Sequence, residues 1–314
     1  MKENCVKIQT EYKKIVDNYL ELKALLKSGG ERKVLIRDCK KLRNGIEKSM
    51  QAVEEFLPGY FPPELKAAVE EVFHGEAMDK IRMPKPEELT DEYFERMYPE
   101  NERQEDVARG LKSETHGWWK NKTSNFEPAE ETKGQAYKRS MIGEAVRLGG
   151  KSLLTETIQK PKFRDDFPQY GTTKGIDVTK DPLLAIVKEV FGERAKRFNH
   201  RWDELTEKLL PAVKNKIAEK LKNKGLAVPE FGVILTPAVV SNLQMTYLRP
   251  ENSRTDTAEW TSTILLKQDG SETDSCLWVG LSDHGGAAAV DGTPCGSKGI
   301  RLGFRLSVVF GKVK

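Results

Sequence analysis

The residues able to do acid–base, nucleophilic or metal chemistry are few and scattered. The four histidines, His74, His116, His200 and His284, lie in four separate regions, and none pairs at the i, i+4 spacing of a helical metal site. The four cysteines, Cys5, Cys39, Cys276 and Cys295, show no Cys-x-x-Cys spacing and are too dispersed for a zinc site. They read as reduced structural thiols, with a Cys276–Cys295 bridge as the alternative for an exported protein. No Gly-x-Ser-x-Gly nucleophile elbow occurs. Gly149-Gly150-Lys151-Ser152 resembles the end of a phosphate loop, but the glycine needed five residues before Gly150 is Ala145, and Ser152 onward reads as a strand. Trp118-Trp119 reads as an anchor for a long loop rather than a stacking platform. No catalytic constellation forms, so no enzyme activity, metal or cofactor is expected.

Bulk properties narrow the class further. A chain of 314 residues, 38% hydrophobic and 32% charged, can bury a core and is rather polar. A net charge of +4 is mild, so no nucleic-acid partner is expected. No run of eighteen apolar residues occurs, so no membrane span is expected. Met1 to Lys14 mixes charge with single apolar residues, unlike a secretory signal. Synthesis in a cytoplasm follows, with later release as part of a virion left open.

One stretch departs from the rest of the chain. His284 to Ser297 contains no Lys, Arg, Glu or Gln. Its small side chains bury little area and cannot hold the segment together. Strand-like runs flank it: Trp260 to Leu266 and Cys276 to Leu281 before, Ile300 to Phe310 after. Period-two alternation marks Val279, Leu281, Ile300, Leu302, Phe304 and Leu306 as the inward set. Ser282, His284, Ala287, Ala289, Asp291 and Thr293 read as replaceable without opening a cavity.

The scaffold must come from the remainder. Apolar residues at alternating three and four spacings predict a helix over 4–27 and a second over 31–56, joined by Ser28-Gly29-Gly30 into a hairpin. Pro62-Pro63-Glu64 opens a third helix to about Phe73. Residues 76–139 read as an irregular linker folded back on the next domain. Within it Thr90 caps a helix start at Asp91. A long helical stretch runs from Asp181 to Lys224, with Gly192 and Pro211 as candidate breaks. His200 lies on it as a packing residue. Glu230 to Leu235 reads as a strand and Thr236-Pro237 as the start of a short helix.

The order Trp260-Thr261-Ser262-Thr263, Trp278-Val279-Gly280-Leu281 and Gly303-Phe304-Arg305-Leu306 resembles the closing strands of C-type-lectin-fold domains. The branch it resembles is that of the formylglycine-generating enzymes, which includes the variable proteins of diversity-generating retroelements. In those proteins a reverse transcriptase rewrites a C-terminal gene segment at adenines. An α+β fold is expected: the helical pattern gives a hairpin module over 1–75 and the linker 76–139, and the resemblance implies a C-type-lectin-like domain over 140–314. It also implies a variable segment over about 276–297. The implied ligand-binding residues are Trp278, Gly280, Ser282, Asp283, His284, Gly285, Ala287, Ala289, Asp291, Thr293, Cys295 and Ser297. The implied function is display of a changeable surface to a protein or cell-surface ligand; a monomer is expected because the linker is long enough for the same chain to cover the apolar faces of the hairpin. The Trp-Asn-Asp and Glu-Pro-Asn patterns of calcium-dependent lectins are absent. Two other classes stay open: a thiol-dependent enzyme of the formylglycine-generating type using Cys276 or Cys295, and a viral structural component.

Overall fold

The computed structural model describes residues 14, 17, 18, 21, 61–73, 78–97, 133–148, 150–158, 181–249, 252, 257–280 and 289–311. The chain divides into two units, Met1–Phe61 and Pro62–Lys314. In the first, the described positions 14, 17, 18 and 21 are helical and Phe61 is not. The rest of the expected helical hairpin lies outside the described residues, as do Trp118 and Trp119.

The second unit is a mixed α+β structure. Its helices are α1 (Pro63–Val72), α2 (Asp91–Met97), α3 (Lys133–Leu148), α4 (Leu184–Phe191), α5 (Leu210–Asn223) and α6 (Ala238–Leu243). Its strands are β1 (Met78–Arg82), β2 (Ser152–Glu156), β3 (Phe231–Leu235), β4 (Ala258–Leu266), β5 (Glu272–Gly280), β6 (Ala289–Pro294), β7 (Leu302–Phe304) and β8 (Leu306–Phe310). They form two four-stranded sheets, ordered β1-β2-β8-β3 and β6-β5-β4-β7. No helix among the described residues is long and apolar enough to cross a membrane.

Local signals explain the helix ends. Proline at its first position starts α1, whose buried Leu65, Ala68, Val69 and Val72 form a helical stripe. That stripe meets Val213, Ile217 and Leu221 of α5. Glu71 pairs with Lys220 at 2.9 Å and Lys224 at 2.8 Å, which occupies part of the basic end of α5. The helix grouped by sequence with the N-terminal module therefore belongs to the second unit, and the boundary expected at residue 75 moves to residue 61. The linker reading needs a similar correction. β1 is an edge strand on β2, pairing Met78 with Glu156 and Arg82 with Ser152, and Leu89 and Phe94 are core residues. α3 crosses the boundary expected at residue 140. Thr90 does accept the Tyr93 N–H at α2, at 3.3 Å, as a cap should.

Gly192, at φ +99°, ends α4 in a conformation that suits glycine. Pro211 breaks nothing. The turn before it widens to a π-helix over Leu205–Leu209, in which the Leu210 N–H donates to the Leu205 carbonyl. A wider turn relieves the clash between a proline ring and the preceding carbonyls. His200 lies outside any helix; its ring stacks on Phe191 at 4.2 Å and meets Phe304 edge-on at 6.4 Å. Burial holds its pKa below the ordinary imidazole value.

Charged residues in the strands turn inward, which alternation alone would not suggest. β2 is buried throughout. Its Glu156 carboxylate accepts from Arg197 at 2.8 and 3.0 Å and from the Leu306 N–H at 2.8 Å. Arg197 also donates to Asp181 at 2.8 Å. Arg305, the single residue between β7 and β8, donates to both Glu259 oxygens at 3.1 and 3.2 Å and to the Glu156 carbonyl at 2.7 Å. Arg305 therefore joins the two sheets at the point where the chain passes from one to the other.

Of the expected inward set, Val279, Leu302, Phe304 and Leu306 are buried. Ile300 is not: it is 62% exposed. It sits in the turn closed by Leu302 N–H to Gly299 O at 2.9 Å, ahead of β7, where strand alternation does not apply. Leu281 lies outside the described residues.

Candidate functional site

β5 and β6 pair antiparallel, with Cys276 opposite Thr293, Leu277 opposite Gly292, Trp278 opposite Asp291, Val279 opposite Val290 and Gly280 opposite Ala289. Alternation sends Leu277, Val279 and Val290 into a core shared with Leu265 and Tyr137. Cys276, Trp278 and Gly280 take the other face, with Ala289, Asp291 and Thr293 at the matching positions of β6. There Trp278 is half-buried and donates its indole N–H to Thr293 Oγ1 at 3.1 Å.

β6 is an edge strand, so some of its backbone groups face away from β5. The Gly292 N–H is one of them. It donates to Tyr137 Oη at 3.0 Å and to Asp291 Oδ1 at 2.8 Å. Tyr137 Oη in turn donates to Asp291 Oδ1 at 2.5 Å. Burial, reinforced by the Asp291 charge, raises the Tyr137 pKa far above the ordinary phenol value, so this group remains a donor. Asp291 and Thr293, read from the sequence as freely replaceable, are both bonded to other side chains.

A Cys276–Cys295 disulfide, with Cα atoms 5.4 Å apart, spans a sequence separation of 19. This corrects the reading of these cysteines as reduced thiols. The β5–β6 pairing brings the two positions together, and the Cys295 N–H donates to Asp274 O at 2.7 Å beside the bridge. The bond closes a covalent loop around the end of β5, residues 281–288 and all of β6. Both sulfurs are bonded to each other, and Cys276 is fully buried.

The other expected residues are distributed as follows. Gly280, at φ 142°, ends β5 in a region that favours glycine. Ala289 opens β6 opposite it. The Ser297 N–H donates to Pro294 O at 2.8 Å, closing a turn. Ser282, Asp283, His284, Gly285 and Ala287 lie outside the described residues.

The inner end of this face is covered by the segment before α5. The Trp260 indole donates to His200 O at 3.0 Å, and the Trp202 indole to Thr261 O at 2.7 Å. The Trp202 N–H donates to Cys295 O at 3.0 Å. Lys298 reaches Glu204 at 3.4 Å at the rim. Elsewhere, a cleft of about 310 Å³ lies between α3 and the β4–β5 hairpin, lined by Glu144, Arg147, Ile264 and Leu266 among others. None of the residues expected to bind ligand lines it. The Glu144 carboxyl there is buried and accepts from the Ser262 and Thr263 hydroxyls and from Arg147. Burial raises its pKa.

Among the described residues no cluster of His, Cys, Asp or Glu is placed to hold a metal ion. No protein-family model, curated protein or solved structure gives a significant match to the chain. Sequence reasoning missed Tyr137, Glu144 and the buried arginines. Tyr137 reaches Asp291 across 154 positions, a distance at which local pattern holds no signal.

Proposed function

We propose that this chain is a ligand- or receptor-binding display protein with a C-type-lectin fold, whose segment 276–297 is diversified by a retroelement. The observation that carries the reading is a separation of duties along the C-terminal strands. β7 and β8, with Gly303-Phe304-Arg305-Leu306, are buried and tied to both sheets through Arg305. The segment instead begins on the end of β5, where Leu277 and Val279 are buried, and runs on through the outer strand β6, with a disulfide across its base. Side chains at a sheet edge change with little cost to the fold when the interior is held elsewhere. The ligand is a protein or a cell surface, and Trp278 offers it an aromatic anchor of the kind that dominates interfaces.

Sequencing the neighbourhood of the gene tests the retroelement. A reverse-transcriptase gene and an imperfect repeat of the codons for residues 276–306 are expected close by. A neighbourhood with neither removes the diversification, leaving at most an ordinary binding domain.

A further inference from the structure

Segment 276–297 does not behave as one surface. Val290 is 1% exposed and packs with Val279. At Gly292 an added Cβ would stand 3.1 Å from Leu265 Cδ2 and 3.6 Å from Tyr137 Oη, so a side chain there needs the Leu265 side chain to give by a few tenths of an ångström. Between them, Asp291 Oδ1 accepts from both the Tyr137 hydroxyl and the Gly292 N–H. Tyr137 is itself 2% exposed and comes from α3, outside the segment. A buried phenol needs a partner, and an edge N–H left open is a template for unwanted strand pairing. One triangle of hydrogen bonds among Tyr137, Asp291 and Gly292 meets both needs.

The geometry points to Tyr137 as the positioning residue of the binding face, with Val290, Asp291 and Gly292 as framework inside the segment. Ligand contact and sequence variation then fall on the flanking positions, among them Trp278, Thr293, Pro294, Gly296 and Ser297. This rests on reading residues 276–297 as a binding face. Asp291 does not touch the ligand. It holds β6 against α3, which sets where the ligand-facing side chains stand. Replacing it loosens the strand and weakens every ligand alike, whereas replacing a flanking residue changes which ligand binds.

Two measurements on the full chain test this without any ligand. First, positions 291–294, 296 and 297 are randomised together, displayed and selected for protease resistance. Asp or Asn at 291 is expected to be enriched about tenfold, because losing this acceptor weakens the bonding of a buried donor, and Gly at 292 is expected to be enriched because any side chain there crowds Leu265 Cδ2. Positions 294, 296 and 297 should stay flat. A flat profile at 291 overturns the proposal. Second, the exchange rate of the Gly292 amide is measured by NMR. It should be slow in the parent protein and about tenfold faster in Tyr137→Phe and Asp291→Ala, while the Leu277 and Val279 amides are unchanged. Asp291→Asn, which keeps an acceptor oxygen, should restore slow exchange. A parent Gly292 amide that exchanges like an open edge, or one indifferent to all three variants, overturns it. Neither measurement involves the gene neighbourhood, so the two proposals fail independently.

Discussion

Arg305→Met is the sharpest test of how the scaffold is held. The Arg305 and Glu259 side chains are both 0% exposed. The variant removes two bonds to Glu259, at 3.1 and 3.2 Å, and the 2.7 Å bond to the Glu156 carbonyl. The Glu259 carboxylate is left in the interior without this cation. Breaking a buried pair from one side costs roughly 3–5 kcal/mol, far more than the pair's net worth, because an uncompensated charge stays behind. For a domain of this size each kcal/mol moves Tm by about 2–4 °C, so a fall of about 10 °C is expected. The double variant Arg305→Met/Glu259→Leu removes both charges and should recover most of the loss. Thermal melting of the two single variants and the double variant gives the coupling. A single-variant loss under about 1 kcal/mol, the scale of an exposed pair, would refute the reasoning. So would a double variant as unstable as the sum of the singles.

Other consequences are open to the same assay. Reducing the Cys276–Cys295 bridge, whose sequence separation is 19, should cost about 3 kcal/mol through the freedom regained by the unfolded chain; an unchanged Tm in reductant would mean the bond does not form. Glu144 has a raised pKa in the fold, chiefly from burial, so the native state binds its proton more tightly than the unfolded chain does. Its contribution is therefore fully present below the ordinary value of 4.5 and is lost as pH rises through the raised one. Glu144→Gln removes that loss, and its Tm relative to the parent should climb as pH increases above 4.5; a pH-independent difference contradicts this. Phe304→Ala, at a fully buried site, should lose roughly 3–5 kcal/mol, whereas Ser297→Ala in the turn after β6 should stay within about 0.5 kcal/mol. Equal losses would place the segment in the core.

The sequence made the local features legible. Proline at the start of α1, Thr90 before α2 and Gly192 after α4 each act within a turn of their own position, and each stands where the pattern put it. Pro211 was equally visible, but its effect was absorbed by a widened turn that no residue type announces. The long-range partners were not legible. Glu156 and Glu259 lie on strands and Arg305 between two of them, where a charge normally reads as solvent-facing. They are buried because partners 41 and 46 positions away neutralise them. The Cys276–Cys295 bridge was one of two readings of the sequence, and only the β5–β6 register decides for it. The site showed the same division: the composition of 284–297 marked the segment, but the Tyr137 contact that separates framework from face depends on how α3 packs. Ile300 failed for a geometric reason, since alternation applies only after β7 begins.

The central claim is that this scaffold presents a segment whose sequence changes while the fold stays. Deep sequencing of the gene across a population descended from one clone tests it most directly. The account predicts substitutions concentrated in the codons for residues 276–297, at adenines, with Gly299 onward unchanged. Substitutions spread evenly along the gene, or a segment as constant as β7 and β8, would contradict it.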